Sequence, residues 1–130
     1  MKPFLRLILF SIVLLPLFLS ACNGDTDDPA DAIQSYIQAL VDKDIDHIST
    51  LACAAREADA RAEVESFTAV TVSLQDMACQ ESGKDGDITL VACTGKIIAN
   101  YGNEIQEIDL SPRTFQAVFE AGEWRMCGYR

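Results

Sequence analysis

Cysteine, histidine, tyrosine and carboxylate side chains are the groups here able to do covalent or acid–base chemistry, and their spacing narrows what that chemistry is. The 130-residue chain holds five cysteines and one histidine. Between Cys53, Cys79, Cys93 and Cys127 lie 25, 13 and 33 residues. None of these gaps gives the close C-x₂₋₄-C pair of a structural zinc site, so no metal is expected. A catalytic thiol would need His47 as its base. Acid–base chemistry in a pocket needs an interior base and an oxyanion partner with perturbed pKa values. The candidates are His47, Asp76, Asp109, Tyr36, Tyr101 and Tyr129. No two of them have a spacing that argues for itself. His47, beside Asp44 and Asp46, reads as a solvated surface residue, and Tyr36 reads as packing. No catalytic residue and no cofactor is assigned.

The fifth cysteine stands apart. Lys2 and Arg6 precede an apolar run from Leu7 to Phe18, broken only by Ser11 and Pro16, and small residues lead into Cys22. That is the layout of a secretory signal. Leu7 to Ala21 is shorter than the roughly 20 apolar residues of a membrane span, and Pro16 would interrupt a spanning helix. Leu19-Ser20-Ala21-Cys22 reads as a lipobox, at which a peptidase cuts once the cysteine carries a diacylglyceryl thioether. Residues 1–21 are then a lipoprotein signal peptide, 22–28 a lipidated tether and 29–130 a single domain. Anchoring takes two or more acyl chains, which the lipid supplies. The expected address is the bacterial cell envelope, on the extracytoplasmic side of a membrane. Asn23, rather than Asp, follows the cysteine; the resemblance to bacterial lipoprotein signals then implies outer-membrane sorting where a second membrane exists.

Setting Cys22 aside leaves an even number of cysteines in an exported chain, for which two disulfides are the natural expectation. Four cysteines allow three connectivities, and hairpin geometry selects one. A three-residue loop of Asp85-Gly86-Asp87 pairs Lys84 with Ile88 and brings Cys79 opposite Cys93, at a cross-strand distance a bridge can span. Cys53 and Cys127 remain, closing a loop worth about 4–5 kcal/mol at most by chain entropy.

Charge excludes one class of partner. Residues 1–21 carry two basic and no acidic side chains, so the net charge of −10 becomes −12 without them. A surface this acidic is repelled by nucleic acid.

These residues must be positioned by the domain's elements. Asp28 is suited to cap a helix with Pro29 at its first position and Asp31 in its first turn. Counted as a calcium loop from Asp25, the same stretch has Ala30 at position 6 and Tyr36 at position 12, and fails. Ile33, Tyr36, Ile37, Leu40 and Val41 form one apolar stripe. Lys43-Asp44 breaks the helix, and Asp44 can cap a second segment with Ile45, Ile48, Leu51 and Ala52. From Cys53 the chain should continue as helix to about Phe67. Alternation then begins at Thr68 and runs to Met77. Gly83-Lys84-Asp85-Gly86 turns into a strand from Ile88 to Ala99, and Asn100 to Asn103 turns into one from Glu104. Ser111-Pro112 bends or interrupts that strand, which resumes to Phe119. Ala121-Gly122 makes a tight hairpin into Glu123–Tyr129. Helices first, then a four-stranded antiparallel meander, is an α+β domain.

Two strings carry a family resemblance. The run from Tyr36 to Asp46 resembles the first helix and its break in nuclear transport factor 2-like (NTF2-like) domains. Glu123-Trp124-Arg125-Met126-Cys127-Gly128 resembles the final strand of small bacterial lipoproteins with this cone-shaped, cystatin-like fold. The resemblance spans most of residues 29–130. It implies N-terminal helices packed in the concavity of a curved four-stranded sheet. It also implies an apolar pocket between helix and sheet, for which Tyr36, Leu40 and Trp124 are the lining candidates. The expected function is a non-catalytic, lipid-anchored module binding a small apolar ligand or an envelope protein, with homodimerisation through the sheet as a further expectation. The alternative is a pocket enzyme of the ketosteroid isomerase or dehydratase type.

Overall fold

The computed structural model describes residues 28–130. The expected signal peptide, Cys22 and the expected tether as far as residue 27 lie outside the described residues. Helix α1 spans Pro29–Asp42. Asp28 Oδ1 accepts from the Ala30 and Asp31 amides at 2.7 and 3.4 Å, satisfying two of the donors a helix start leaves free. Lys43 ends the helix in a left-handed conformation. Asp44 then caps α2, Ile45–Leu51, by accepting from the His47 amide at 3.0 Å. The apolar stripe of α1 is buried throughout, with Ile33, Tyr36 and Ile37 among the most enclosed side chains.

The helix expected to run from Cys53 to Phe67 is broken at its start. Ala52 is extended and bridges Met126, and the Cys53 amide donates to the Met126 carbonyl at 2.9 Å. A disulfide joins Cys53 to Cys127, with 5.2 Å between their Cα atoms. Only after this attachment does a 3₁₀ turn, Ala54–Arg56, lead into α3, Glu57–Ser66. Ala52 and Cys53 are thus held extended by tertiary pairing, which outweighs a helix preference of a few tenths of a kcal/mol per residue.

Five strands follow: β1 Thr71–Asp85, β2 Ile88–Asn100, β3 Ile105–Asp109, β4 Thr114–Glu120 and β5 Glu123–Tyr129. The sheet is antiparallel in the order β1-β2-β4-β5, and β3 also pairs with β2. The expected four strands are five because the interruption at Ser111-Pro112 is complete. Lys96–Asn100 of β2 pairs with β3, whereas Ile88–Ala92 pairs with β4. Between the two halves stands Gly95, at φ +94°, facing a bulge in β1 where Asp76 has φ +52°. A Cβ at Gly95 would lie 2.5 Å from the Gln75 carbonyl oxygen, so only glycine fits. The bulge bends the ribbon there, and two short strands follow β2 where one straight strand would not.

The first hairpin also differs from expectation. Asp85 pairs with Ile88 across a two-residue turn, Gly86-Asp87, not across a three-residue loop. A second bulge at Ser82, between the Glu81–Val91 and Gly83–Leu90 pairs, shifts the register by one residue. Cys79 therefore stands opposite Cys93 and is bonded to it, with 4.1 Å between Cα atoms.

A candidate binding groove on the outer face of helix α1

The polar face of α1 carries Asp31, Gln34, Ser35, Gln38 and Asp42, spaced at i, i+3, i+4, i+7 and i+11, so they line one side of the cylinder. Together with Ala39, with Asp44 and His47 from the start of α2, and with Met77 from the β1 bulge, they enclose a groove of about 420 Å³. Gln34 fixes one wall: its Oε1 accepts the Cys79 amide at 2.9 Å, tying α1 to β1. Gln38 Nε2 donates to Asp42 Oδ1 at 3.0 Å, and Asp44 Oδ2 lies 4.0 Å from His47 Nδ1.

Three carboxylates line this groove and no lysine or arginine does. The neighbouring Lys43 is directed elsewhere, its Nζ donating to the Val70 carbonyl. Carboxylates, carboxamides and a serine hydroxyl suit a cationic, hydrogen-bonding group, with Met77 and Ala39 offering limited apolar surface.

Tyr36, Leu40 and Trp124, the candidates for lining an apolar pocket, lie in or against the core. Tyr36 and Leu40 belong to the buried core, and Trp124 is half-buried against it, edge-on to Phe119 at 5.4 Å between ring centroids. None of the three lines the groove, which opens on the opposite face of α1. Of the acid–base candidates only His47 reaches the groove. Tyr36 is 1% exposed and donates its hydroxyl to Glu63 Oε2 at 2.8 Å. Burial, then the Glu63 charge and that hydrogen bond, push its pKa far above the ordinary 10.0. Arg56 closes this network with Glu63 at 2.7 Å and Asp59 at 3.0 Å. Tyr129 lies under the guanidinium groups of Arg56 and Arg113, 5.6 and 4.8 Å from its ring centroid. Asp109 is exposed and accepts from the Ser111 amide, which holds its carboxyl below the usual value. Asp76 and Tyr101 are exposed, the former in the bulge and the latter in the β2–β3 turn. Among the described residues no group of three or more histidine, cysteine or carboxylate side chains is placed to hold a metal ion.

The groove residues other than His47 were not candidates from sequence. A solvated face and a binding face of an amphipathic helix look alike in one dimension; only the recurrence of carboxylates at 31, 42 and 44 was there to be read.

No family model matches the chain, and no curated protein does. Solved structures do. An NTF2-like protein with a cystatin-like fold from Novosphingobium aromaticivorans superposes with a TM-score of 0.53 at 11% identity, over 77% of this chain and 75% of that one. An NTF2-like family protein from Streptomyces avermitilis, assigned as a candidate dehydratase, gives 0.50 at 12% identity over 75% and 87%. The helical cell shape determining protein Pgp2 from Campylobacter jejuni gives 0.51 at 6% identity over 77% of this chain and 38% of that one. At such identities the likeness is one of fold: an α+β domain of the cystatin-like, NTF2-like type. Function lives in sites grafted on a fold and is argued from those.

Proposed function

We propose that the chain is a lipid-anchored, extracytoplasmic binding module, held to a membrane through Cys22, that takes a cationic group in the α1 groove. The group is carried by a small ligand or by a basic segment of an envelope protein. The observation that carries this reading is the groove itself, lined by Asp31, Asp42 and Asp44 with no lysine or arginine among its walls. Two disulfides support an oxidising compartment. The lipobox at Cys22 supports the anchor. Acid–base catalysis in an interior pocket draws no support from the core, where Tyr36 is packed and hydrogen-bonded to Glu63.

Titration with spermidine and with a short lysine-rich peptide, followed by calorimetry and amide shifts, tests the groove. Binding should fall with added salt. It should weaken about tenfold in the Asp31→Asn/Asp42→Asn double variant, as expected for two partly screened charge contacts. Equal binding by that variant, or shifts confined to residues away from α1 and Met77, would sink the reading.

A further inference from the structure

The direction of α1 decides which end of the domain the tether enters. Gln34 reaches the Cys79 amide, and nine residues later Lys43 reaches the Val70 carbonyl, so α1 runs antiparallel to β1. Its N-terminus therefore points toward the end of the sheet where β1 turns into β2. Ile88, just past that turn, pairs with Val118 near the end of β4, which sets the β4–β5 turn at the same end. Five residues separate Cys22 from Asp28. Even fully extended they span only about 20 Å. A lipid on Cys22 would hold this end, and not the opposite one, close to the bilayer.

The same end carries an exposed aromatic. Phe119 is 62% exposed and contacts the edge of the half-buried Trp124. The turn beyond them, Ala121-Gly122, has positive φ at both residues, and the pair stands at the last cross-strand position but one before it. The flanking carboxylates are engaged: Glu120 accepts from the Ala54 amide at 2.9 Å, and Glu123 lies 3.6 Å from Arg125. Tryptophan is enriched at the boundary between headgroups and acyl chains, and an exposed phenylalanine beside it adds apolar area that can be buried there.

We propose that the β4–β5 turn, led by Phe119 and backed by Trp124, rests in the interfacial layer of the membrane to which Cys22 ties the chain. This rests on the lipid anchor proposed above. Contact with the bilayer fixes the domain's orientation, so that the α1 groove lies along the side of the domain and not against the lipid. Asp28, Asp31, Glu120 and Glu123 make this end acidic, so zwitterionic lipid is the favoured surface and anionic lipid a poorer one.

Trp124 is the only tryptophan of the chain, so intrinsic fluorescence reads this turn alone. The full lipoprotein is purified with its lipid and reconstituted in phosphatidylcholine vesicles, with or without bromine on the upper acyl chain. The expected result is a blue-shifted emission that falls about twofold in the brominated vesicles, reflecting a ring at interfacial depth. Phe119→Ser should abolish that quenching and Phe119→Leu should keep most of it, with near-ultraviolet circular dichroism confirming that both variants are folded. Protein that floats with the vesicles yet emits identically in both lipids overturns the proposal and leaves the anchor standing. So does an emission shift that follows protein concentration and ignores bromine, which would mean that a second copy covers Phe119. Protein that fails to float and shows no acyl mass removes the anchor, and the proposal with it.

Discussion

Tyr36 was legible as a core residue from its place on the α1 stripe, but its polar partner was not. Glu63 lies 27 positions away on another helix, and nothing in local spacing links them. The hydroxyl of a fully buried tyrosine must find an acceptor or leave a costly unpaired group. Glu63 supplies one while remaining held by Arg56. The raised pKa of Tyr36 has a consequence for stability whose sign is fixed. Burial and the Glu63 charge favour the protonated form in the folded chain. The stabilisation is complete below the ordinary tyrosine value of 10.0 and is lost as pH rises through it, because the unfolded chain then releases a proton the folded chain retains. Unfolding free energies from urea titrations between about pH 9 and about pH 11 should fall with a slope approaching 1.4 kcal/mol per pH unit at the alkaline end. In Tyr36→Phe that alkaline slope should flatten, at a cost of about 1 kcal/mol near neutrality for the lost hydrogen bond. An unchanged slope in the variant would show that other groups carry the effect.

Among the elements, those set by near neighbours were read correctly, the first hairpin turn excepted, and the breaks set by distant pairing were not. The Asp28 cap, Pro29, the apolar stripe and the Asp44 restart lie within one helix turn of what they govern, and each is where local rules put it. The break at Ala52-Cys53 depends instead on Met126 and Cys127, more than seventy residues on. Separation of β3 from β4 follows from a bulge in a strand they do not touch. Cys79 faces Cys93 through a two-residue turn and the Ser82 bulge, where the sequence had suggested a three-residue loop; the two routes give the same register beyond Glu81. The attachment at Cys53 is the joint between the helical layer and the last strand. Replacing Cys53 and Cys127 together by alanine should cost about 2–5 kcal/mol in urea unfolding, given the long loop they close. The same variant should speed hydrogen exchange at the amide of residue 53, which donates to the Met126 carbonyl. A loss of stability without faster exchange there would place the effect in the unfolded chain alone.

At the scale of the whole molecule, charge is the property the fold manages least. Residues 22–130 carry −12, and the ion pairs among them are mostly partly or well exposed, such as Lys96–Glu107 and Arg130–Asp85. Exposed pairs of this kind are worth about 0–1 kcal/mol each and lose part of that in salt. Repulsion among the excess carboxylates acts over longer distances, and it is the larger effect when the Debye length is about 30 Å, near 0.01 M salt, rather than about 8 Å at 0.15 M. Asp31, Asp42 and Asp44 converge at the groove, so some of that repulsion is concentrated where a cation would relieve it. The two contributions have opposite signs in a salt titration, which makes the outcome decisive. If repulsion dominates, the melting temperature should rise by about 4 °C or more between low and physiological sodium chloride, the shift that about 1 kcal/mol produces in a domain of this size. A large share of that gain should appear already at low salt on adding spermidine, and Asp31→Asn/Asp42→Asn should melt higher than the parent at low salt while responding less to spermidine. A melting temperature that falls with salt would mean that the ion pairs outweigh the excess charge, and would remove the electrostatic case for a cation in the groove.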